Sequence, residues 1–339
     1  MSKLEIGKVP VDILNRIVLN PINNNTNKRK DIVVRPSTGE DCSAVDLGSE
    51  ICVLSTDPIT AAGSNAGYLV VHINCNDAAS AGAEPIGILL TALLPYGSTE
   101  DDLKEIIDGA YNAAEEVGIE ILGGHTEITA AVNKPVVSGT VIAKTKNRKF
   151  ISSGGAKSGQ HIIMSKWAAI EGTSIIASDY EKEMTGFISE ETINEAKALS
   201  SKISVVREGI IASEYGATAM HDATEGGILG AVWEIAECSN VGVEIYADEI
   251  PVLACTKEVC RFAGIDYLRL ISSGTMVMTA FDGEKLVSKL KESGINAAVI
   301  GRITDNGRYV TKNNKRMELL PQEKDEIYSI KINDEFKSN

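Results

Sequence analysis

The sequence predicts a two-domain protein of mixed helices and strands, on three observations. The chain has 339 residues, enough for two domains of ordinary size. Short apolar segments alternate with amphipathic ones over residues 31–144, and again after residue 161. Residues 144–160 (KTKNRKFISSGGAKSGQ) are basic and then rich in glycine and serine, which is typical of a passage between domains. We therefore place one domain at residues 1–150 and a second at residues 151–339.

The first domain is predicted to begin with a short amphipathic helix and a polar loop at residues 23–30. A strand follows from Ile51 to Thr56, and Asp57-Pro58 is expected to end it because proline cannot donate to a ladder. A helix of small residues is predicted over residues 65–82 and a buried strand over residues 86–94. Strands are also expected at residues 119–122 and 135–144.

The clearest helix signal covers residues 100–117, where apolar residues recur three and four positions apart. Ser98 or Thr99 can cap this helix, and Gly118 can end it. In the second domain we predict helices near residues 204–215 and 228–238. The expected strands of that domain lie near residues 161–165, 275–281 and 297–300.

Composition excludes several classes of protein. Apolar residues make up 43% and charged residues 24%, so we expect a folded, globular chain. The formal net charge of −14 argues against nucleic acid or an anionic membrane as a partner, since both favour basic patches. No signal-peptide pattern and no apolar run of membrane-spanning length is present, so a cytoplasmic protein is expected. The six dispersed cysteines indicate reduced core residues.

Four short motifs place an aspartate at the end of an apolar segment: GEDCSAV, STDP, NCND and HDATEGG, with Asp41, Asp57, Asp77 and Asp222. A carboxylate beside a core is costly unless a cation or hydrogen-bond donors compensate it. Several carboxylates with few basic neighbours favour Mg²⁺, which prefers oxygen ligands. Singly, each aspartate could instead be a turn residue or helix cap, as Asp222 could be for a helix beginning near Gly226.

Glycine pairs precede polar residues in LGGHTE, residues 122–127, and in EGG, residues 225–227. Backbone N–H groups at glycine turns and helix N-termini form anion-binding sites. His125 and His221 adjoin these motifs and are candidate site residues. Residues 154–159 (GGAKSG) lack the order of a phosphate-binding P-loop, so we interpret them as linker.

These motifs resemble the AIR synthase (PurM-like) superfamily, and within it the HypE-like, AIR-synthase-related proteins. The likeness spans nearly the whole chain in the family's order. It begins with Gly7-Lys8 and continues through GEDCSAV, STDP, NCNDAASAGAEP and GGHTE, then WAAIEGT, HDATEGG, SSGT and IGRIT.

The resemblance implies an α+β, PurM-like two-domain fold. The first domain would share a β-barrel with its copy in a homodimer, and the second would be an α/β layer. ATP and Mg²⁺ are the implied cofactors, with the metal held by Asp41, Asp57, Asp77 and Asp222. The implied nucleotide-binding residues are Lys8, Thr56, Asn76, Gly123, Gly124, Thr126, Glu171, Glu225 and Gly226. The candidates for acid–base catalysis are His125, Glu127 and His221.

The resemblance further implies an ATP-dependent enzyme that phosphorylates or dehydrates a small-molecule or amide-type acceptor. Two departures separate this chain from HypE. No cysteine follows Cys260, so carbamoyl dehydration on a cysteine of its own tail is not expected, and His125 replaces an aspartate of the family's GGDT pattern. A nucleotide-binding maturation or regulatory partner without turnover, with a protein partner of its own, is one alternative. A phosphotransferase resembling thiamine-monophosphate kinase is another.

Overall fold

The computed structural model describes residues 9–60, 65–322 and 324–333. The chain forms two compact units, each built around one sheet. The six-stranded unit comprises Asn27–Pro36 and Asp41–Phe150. The seven-stranded unit comprises Ser37–Glu40 with the described residues of Met1–Thr26 and Ile151–Asn339. This mixture of helices and largely antiparallel sheets confirms the α+β prediction, whereas the barrel shared with a second copy stays a prediction.

The six-stranded unit has two helices against a sheet of strand order β1-β2-β3-β6-β4-β5. Neighbouring strands are antiparallel except β4 and β5, which are parallel. Its elements are β1 Ile32–Val34, β2 Ser43–Asp46, β3 Ile51–Ile59, α1 Ala66–Ser80, β4 Ala83–Pro95, α2 Glu100–Val117, β5 Glu120–Thr129 and β6 Val136–Thr145. A 3₁₀ turn, Lys146–Arg148, follows β6.

Helix α1 is buried on every side, because it lies between the sheet and α2. A helix in that position has no polar face, which is why its sequence is rich in small and apolar residues. The contact with α2 is close: a Cβ on Gly67 would lie 1.8 Å from the carbonyl oxygen of Ile106. Any polar side chain of α1 is therefore held inside the unit.

The predicted boundaries of α2 are confirmed. Thr99 accepts a hydrogen bond from the N–H of Asp102, and the Asp102 carboxylate accepts from the N–H of Thr99 in return. Gly118 ends the helix with φ of 81°, the left-handed conformation that glycine adopts without strain.

Two predicted strand ends are wrong. Strand β3 continues through Asp57 and Pro58 to Ile59. Proline is tolerated there because β2 covers only Ile51 to Leu54, so the later part of β3 has β6 on one side only. Strand β5 does not stop at Leu122 but extends to Thr129, paired with β4 along its length. The GGHTE segment is therefore part of a strand instead of a turn.

The seven-stranded unit has strand order β13-β12-β9-β11-β7-β10-β8. Among the strands that the structure describes in this unit, only β12 and β9 are parallel neighbours. Its elements are β7 His161–Ser165, α3 Ile170–Asp179, α4 Glu190–Ala198, α5 Val206–Glu214, β8 Ala219–Asp222, α6 Gly227–Ser239, β9 Gly242–Tyr246, α7 Ala254–Ala263, β10 Met276–Ala280, α8 Gly283–Glu292, β11 Ala297–Thr304, β12 Arg308–Lys312 and β13 Lys315–Glu318. Short helical segments are Val11–Leu14, Asn15–Leu19, Asn20–Asn23, Glu181–Met184, Leu199–Lys202, Ala247–Glu249 and Glu326–Ser329.

One hydrophobic core of this unit lies between the sheet and α6. Apolar residues of α6, among them Ile228, Val232 and Ile235, pack on residues of β7, β9 and β11. The predicted elements at residues 161–165, 228–238 and 275–281 are confirmed, with ends shifted by one residue or less. The six cysteines are free thiols, as expected. Among the described residues, none of the helices is both long enough and apolar enough to cross a membrane.

Candidate functional site

In the six-stranded unit, the acidic end of α1 meets the GEDCSAV segment. Asp77 lies in the last turn of α1 and is 3% exposed. The Ser55 hydroxyl on β3 lies 2.7 Å from Oδ2 of Asp77 and 3.0 Å from the carbonyl oxygen of Asp41. The Cys42 thiol donates to the carbonyl oxygen of Asp77 over 3.2 Å. Asp41 and Asp77, distant in sequence, are thus brought to one place.

Asp57 is anchored by its backbone. Its N–H donates to Oδ1 of Asn74 over 3.0 Å, and its carbonyl accepts from Nδ2 of Asn74 over 3.3 Å. Asn74, fully buried on α1, makes the two hydrogen bonds that a neighbouring strand would otherwise make. The backbone of Asp57 is therefore held in place by α1, the helix that also supplies Asp77.

Two predicted nucleotide-binding residues near Asp57 have unlike environments. The Thr56 hydroxyl donates to the carbonyl of Gly139 over 2.7 Å and lies 3.0 Å from Oγ1 of Thr140. Its proton is thus already used by the sheet, which leaves it an acceptor toward any ligand. Asn76 is fully buried within α1, one residue before Asp77.

The GGHTE segment lies on β5, the edge strand of the sheet. Gly124 has φ of 145°, and a Cβ there would lie 1.7 Å from the carbonyl oxygen of Leu90. Position 124 requires glycine because β5 lies too close to β4 there for a side chain. A Cβ at Gly123, in contrast, would meet no atom within 4 Å. His125 and Glu127 share a face, with Nε2 and Oε2 3.5 Å apart and both side chains more than half exposed, while Thr126 is also exposed.

In the seven-stranded unit, His221 and Asp222 end the edge strand β8 and are 3% and 2% exposed. Nε2 of His221 lies 2.7 Å from Oε2 of Glu234 on α6. A carboxylate at this distance fixes the orientation of the imidazole ring. His221 therefore has the partner that a general base needs, and Glu234 is a residue that sequence reasoning missed.

A residue far along the chain accepts a hydrogen bond from the backbone immediately before α6. Gly226 and Gly227 have φ of 88° and 61°, and α6 begins at Gly227. The N–H of Gly226 donates to Oδ2 of Asp325 over 2.7 Å. No side chain caps α6 itself, so the alternative of Asp222 as its cap is wrong. While this contact stands, the Gly226 N–H is not available to a phosphate.

Three motif loops of this unit are joined by hydrogen bonds at the openings of α3 and α6. The Ser272 hydroxyl accepts from the N–H of Ala169 over 2.8 Å, and the Thr275 hydroxyl donates to the carbonyl of Trp167 over 2.7 Å. The N–H of Ser272 donates to the carbonyl of Thr224 over 3.3 Å. The WAAIEGT, HDATEGG and SSGT motifs, predicted as separate signals, therefore form one loop cluster.

Glu171 is the buried acid of this loop cluster. It lies in the first turn of α3, 7% exposed. Burial raises the pKa of Glu171, and the charges of Asp325 and Glu225 raise it further, while the neighbouring Ser273 lowers it. The surrounding charges indicate that Glu171 and Glu225, both predicted from motifs, lie near Asp325.

Four residues of these arrangements escaped sequence reasoning: Ser55, Glu234, Ser273 and Asp325. Ser273 belongs to the SSGT motif and Ser55 to the STDP motif, so both residues could have been predicted from their motifs. Glu234 and Asp325 had none, because their contacts depend on the packing of α6. Lys8, predicted to reach a phosphate, lies outside the described residues.

Comparison with known protein families gives two matches. Residues 39–145 match the N-terminal domain of AIR synthase related proteins, and residues 157–312 match the C-terminal domain. The chain is 30% identical over 287 residues to a putative hydrogenase expression/formation protein of Methanocaldococcus jannaschii, with 81% of each chain covered. It is 26% identical to the carbamoyl dehydratase HypE of Cupriavidus necator, covering 81% of this chain and 79% of that protein.

Solved structures resemble the fold at lower identity. A chain of a HypE–HypF complex superposes with a TM-score of 0.74 at 22% identity, over 90% of this chain and 100% of that one. ThiL complexed with AMPPCP and TMP gives 0.73 at 17% identity, over 93% and 98%. HypE in complex with ATP gives 0.67 at 19% identity, over 95% and 97%.

Proposed function

Because this chain belongs to the AIR synthase-related family, with HypE-like relatives, we propose that it is an ATP- and Mg²⁺-dependent enzyme that phosphorylates or dehydrates a small-molecule or amide-type acceptor. One structural observation carries the proposal. Asp77, buried at the end of α1, and Asp41 are brought together through Ser55. ATP in HypE and AMPPCP in ThiL, two proteins of this fold, support a nucleotide as ligand.

The donor chemistry of the six-stranded unit fits a hard cation. Asp41, Asp57 and Asp77 offer carboxylate oxygens, the ligands that Mg²⁺ prefers. Ser55 and Asn74 hold the segments that carry them, so the acids are placed before any metal arrives. Bound Mg²⁺ would neutralise charge on the phosphates of ATP. Asp222 stays a predicted magnesium ligand on the seven-stranded unit, to be tested separately.

Strand β5 supplies the proposed phosphate contacts. Because β5 is an edge strand, backbone groups of Gly123, Gly124 and Thr126 that point away from β4 can donate to an anion. The Thr126 hydroxyl is an additional donor. Thr56 and Asn76 are proposed to line the same nucleotide site, with Thr56 as an acceptor.

The candidate acid–base residues lie on β5 of the six-stranded unit and on β8 of the seven-stranded unit. His221, oriented by Glu234, is the better-placed base because its ring is buried and fixed. His125 and Glu127 are exposed and lie 3.5 Å apart, an arrangement that a bound substrate can reorganise. Glu225 stays a predicted nucleotide-binding residue of the seven-stranded unit, and Gly226 can act as one only when Asp325 releases its N–H.

Two kinds of protein contact are also proposed. A homodimer is supported by the open edge of β5 and by apolar side chains on β4 and β5 that are about half exposed: Ile86, Leu89, Leu122 and Ile128. The HypE–HypF complex supports a protein partner of another kind. If ATP is bound without turnover, a nucleotide-binding maturation partner becomes the better description.

Turnover of ATP with Mg²⁺ by the purified chain tests the proposal. We expect Asp77→Asn to reduce turnover at least a hundredfold, with Asp101→Asn, an exposed acid in the first turn of α2, as the matched control. Circular dichroism of each variant shows whether it is folded. Absence of both ATP binding and turnover in the wild-type protein would contradict the proposal.

A further inference from the structure

Two residues at the start of the WAAIEGT motif have a strained backbone. Lys166 and Ala169 have φ of 52° and 59°, in the left-handed region that residues other than glycine and asparagine seldom enter. Strain of this kind persists only where the surrounding structure enforces it, and it is concentrated at ligand-binding and catalytic sites. The turn formed by residues 166–169 is therefore a candidate binding element.

Lys166 is held through both its backbone and its side chain. Its N–H donates to the carbonyl of Asn296 over 2.7 Å, and Nδ2 of Asn296 donates to the carbonyl of Lys166 over 3.1 Å. Its ammonium group donates to the carbonyl of Ser204 and lies 2.7 Å from Oε1 of Glu208. The left-handed conformation of Lys166 is thus imposed by contacts with residues far along the chain.

The rest of the turn is held in the same way. The carbonyl of Trp167 accepts from Oγ1 of Thr275 over 2.7 Å. The next two N–H groups, at positions 168 and 169, donate to the carbonyl of Pro251 over 3.0 Å and to the hydroxyl of Ser272 over 2.8 Å. The backbone that carries Trp167 is therefore fixed on both sides of this residue.

The side chains of the turn are buried against the order of their hydrophobicity. Trp167 is the largest of them and remains partly exposed, whereas Ala168 and Ala169 are fully buried. Burying an indole would remove far more apolar area from water than burying two methyl groups does. The turn thus keeps Trp167 at the surface, where it contributes less to the core than it could, as expected of a side chain that serves a ligand.

The indole of Trp167 is also open to a ligand. Over the ranges that the structure describes, no aromatic ring or cation contacts its face, and its Nε1–H has no hydrogen-bond acceptor. Trp233, the other tryptophan of the chain, has the guanidinium of Arg308 over its ring, 5.2 Å from the ring centre. Of the two indoles, only that of Trp167 offers an uncovered face in the described structure.

We infer that Trp167 is a stacking platform for a planar heteroaromatic ring of a ligand bound at the loop cluster. An indole face favours such a ring over a saturated one, because aromatic pairs gain more than the area that they bury. The strained turn fixes the indole before binding, so little order is lost when the ring stacks. The ring belongs either to a nucleotide base or to a second substrate. The inference goes beyond the proposed function and does not depend on ATP turnover.

The fluorescence of Trp167 tests the inference, since it is the sole tryptophan of Trp233→Phe. Two pairs of probes differ in the aromatic ring: adenosine with ribose, and furfuryl alcohol with tetrahydrofurfuryl alcohol. We expect the aromatic member of at least one pair to change the fluorescence saturably, with Kd on the order of 1–10 mM, and its partner to leave it unchanged. A response to adenosine assigns the ring to the nucleotide base, and a response to furfuryl alcohol alone assigns it to the second substrate.

Equal responses within both pairs, or responses that never saturate, would overturn the inference. If Trp233→Phe does not fold, the difference in fluorescence between wild type and Trp167→Phe gives the same measurement. Trp167→Ala should weaken binding of the responding probe at least tenfold in ligand-observed NMR, with folding checked by circular dichroism. Unchanged probe binding in folded Trp167→Ala would contradict the platform.

The role of the strain is tested by Ala169→Gly, which removes one methyl group but relieves the left-handed conformation. These effects oppose each other, so we expect a melting temperature within about 3 °C of wild type. Probe binding should nevertheless weaken severalfold, because the indole is less firmly fixed. Ala212→Gly is the control: Ala212 is equally buried, within α5, and its loss should lower the melting temperature and leave probe binding unchanged. Wild-type affinity in Ala169→Gly would overturn the role of the strained turn.

The two proposals fail separately. A saturable response of Trp167 in a protein without affinity for ATP would leave the platform standing and remove the proposed enzyme. Turnover of ATP by a protein whose Trp167 responds to neither aromatic probe would remove the platform alone.

Discussion

The carboxylate of Asp325 accepts a 2.7 Å hydrogen bond from the backbone N–H of Gly226, immediately before the first residue of α6. Its second oxygen accepts from the N–H of Ile327 over 2.8 Å. Asp325 is 3% exposed, so the segment after β13 supplies a buried anion to a helix N-terminus. A negative charge there is stabilised by the helix dipole and by the N–H it accepts from.

Asp325→Ala should therefore destabilise the protein by about 1–2 kcal/mol, because a buried hydrogen bond to a carboxylate is lost and the N–H of Gly226 is left unpaired. Asp282→Ala is the control, because Asp282 also accepts from a backbone N–H at a helix N-terminus, that of Lys285 in α8, but from an exposed position. We expect it to have the smaller effect. Urea unfolding of both variants measures the difference. Equal losses would mean that the burial of Asp325 adds nothing.

The raised pKa of Glu171 predicts a pH dependence of stability. Since its folded-state pKa lies above the unfolded value, the native state binds more protons, and stability falls as pH rises through that range. Glu171→Gln removes this dependence, so its stability relative to wild type should increase from pH 4 to pH 8. Unfolding curves at several pH values check the sign, and a constant difference would refute it.

Lys166 and Glu208 form a buried ion pair in the seven-stranded unit, with Nζ and Oε1 2.7 Å apart. Burial lowers the pKa of Lys166, and the charge of Glu208 opposes that effect. Glu208→Gln leaves a buried ammonium without its counter-ion, so we expect a loss of about 3 kcal/mol. Glu181→Gln, which breaks the more exposed pair with Lys197, should cost less than about 1 kcal/mol by the same urea assay.

Alanine substitutions at Gly124 and Gly123 of β5 distinguish two causes of lost stability, steric overlap and backbone strain. In Gly124→Ala the new Cβ would meet the carbonyl oxygen of Leu90, so we expect a loss above about 3 kcal/mol or failure to fold. Gly123→Ala meets nothing within 4 Å and retains only the strain of its φ of 129°. Thermal unfolding should rank the two clearly, and similar melting temperatures would show that β5 can move away from β4.

The proposed homodimer predicts that charge on β4 is disruptive. Leu89→Glu should shift the protein toward monomer in sedimentation experiments. The Leu89 side chain is 41% exposed and belongs to the group of exposed apolar residues on β4 and β5 that we propose to form the dimer contact. Ile107→Glu on α2 has nearly the same exposure, 39%, and should leave the oligomeric state unchanged. A wild-type protein that is monomeric at all concentrations would contradict the dimer.

Local sequence predicted about half of the labelled elements of this fold, most of them in the six-stranded unit. The ends of α2 followed from Thr99 and Gly118, since caps act within a few residues. The same reasoning was wrong for β3 and β5, where Pro58 and the glycine pair were interpreted as breaks. Whether a proline or a glycine pair ends a strand depends on which strand lies beside it. The local sequence pattern contains no information on that pairing.

Sequence alone determined which residues could do chemistry here: acids, histidines and glycines at the ends of apolar segments, in a recognisable order. Only the tertiary structure decided how they are held. Ser55 contacts both Asp77 and Asp41, and Glu234 orients His221. Asp325 accepts from the backbone N–H immediately before α6. The physical reason is range. Propensities and caps act over a few residues along the chain, whereas burial and hydrogen bonding of a side chain depend on neighbours that folding brings from elsewhere.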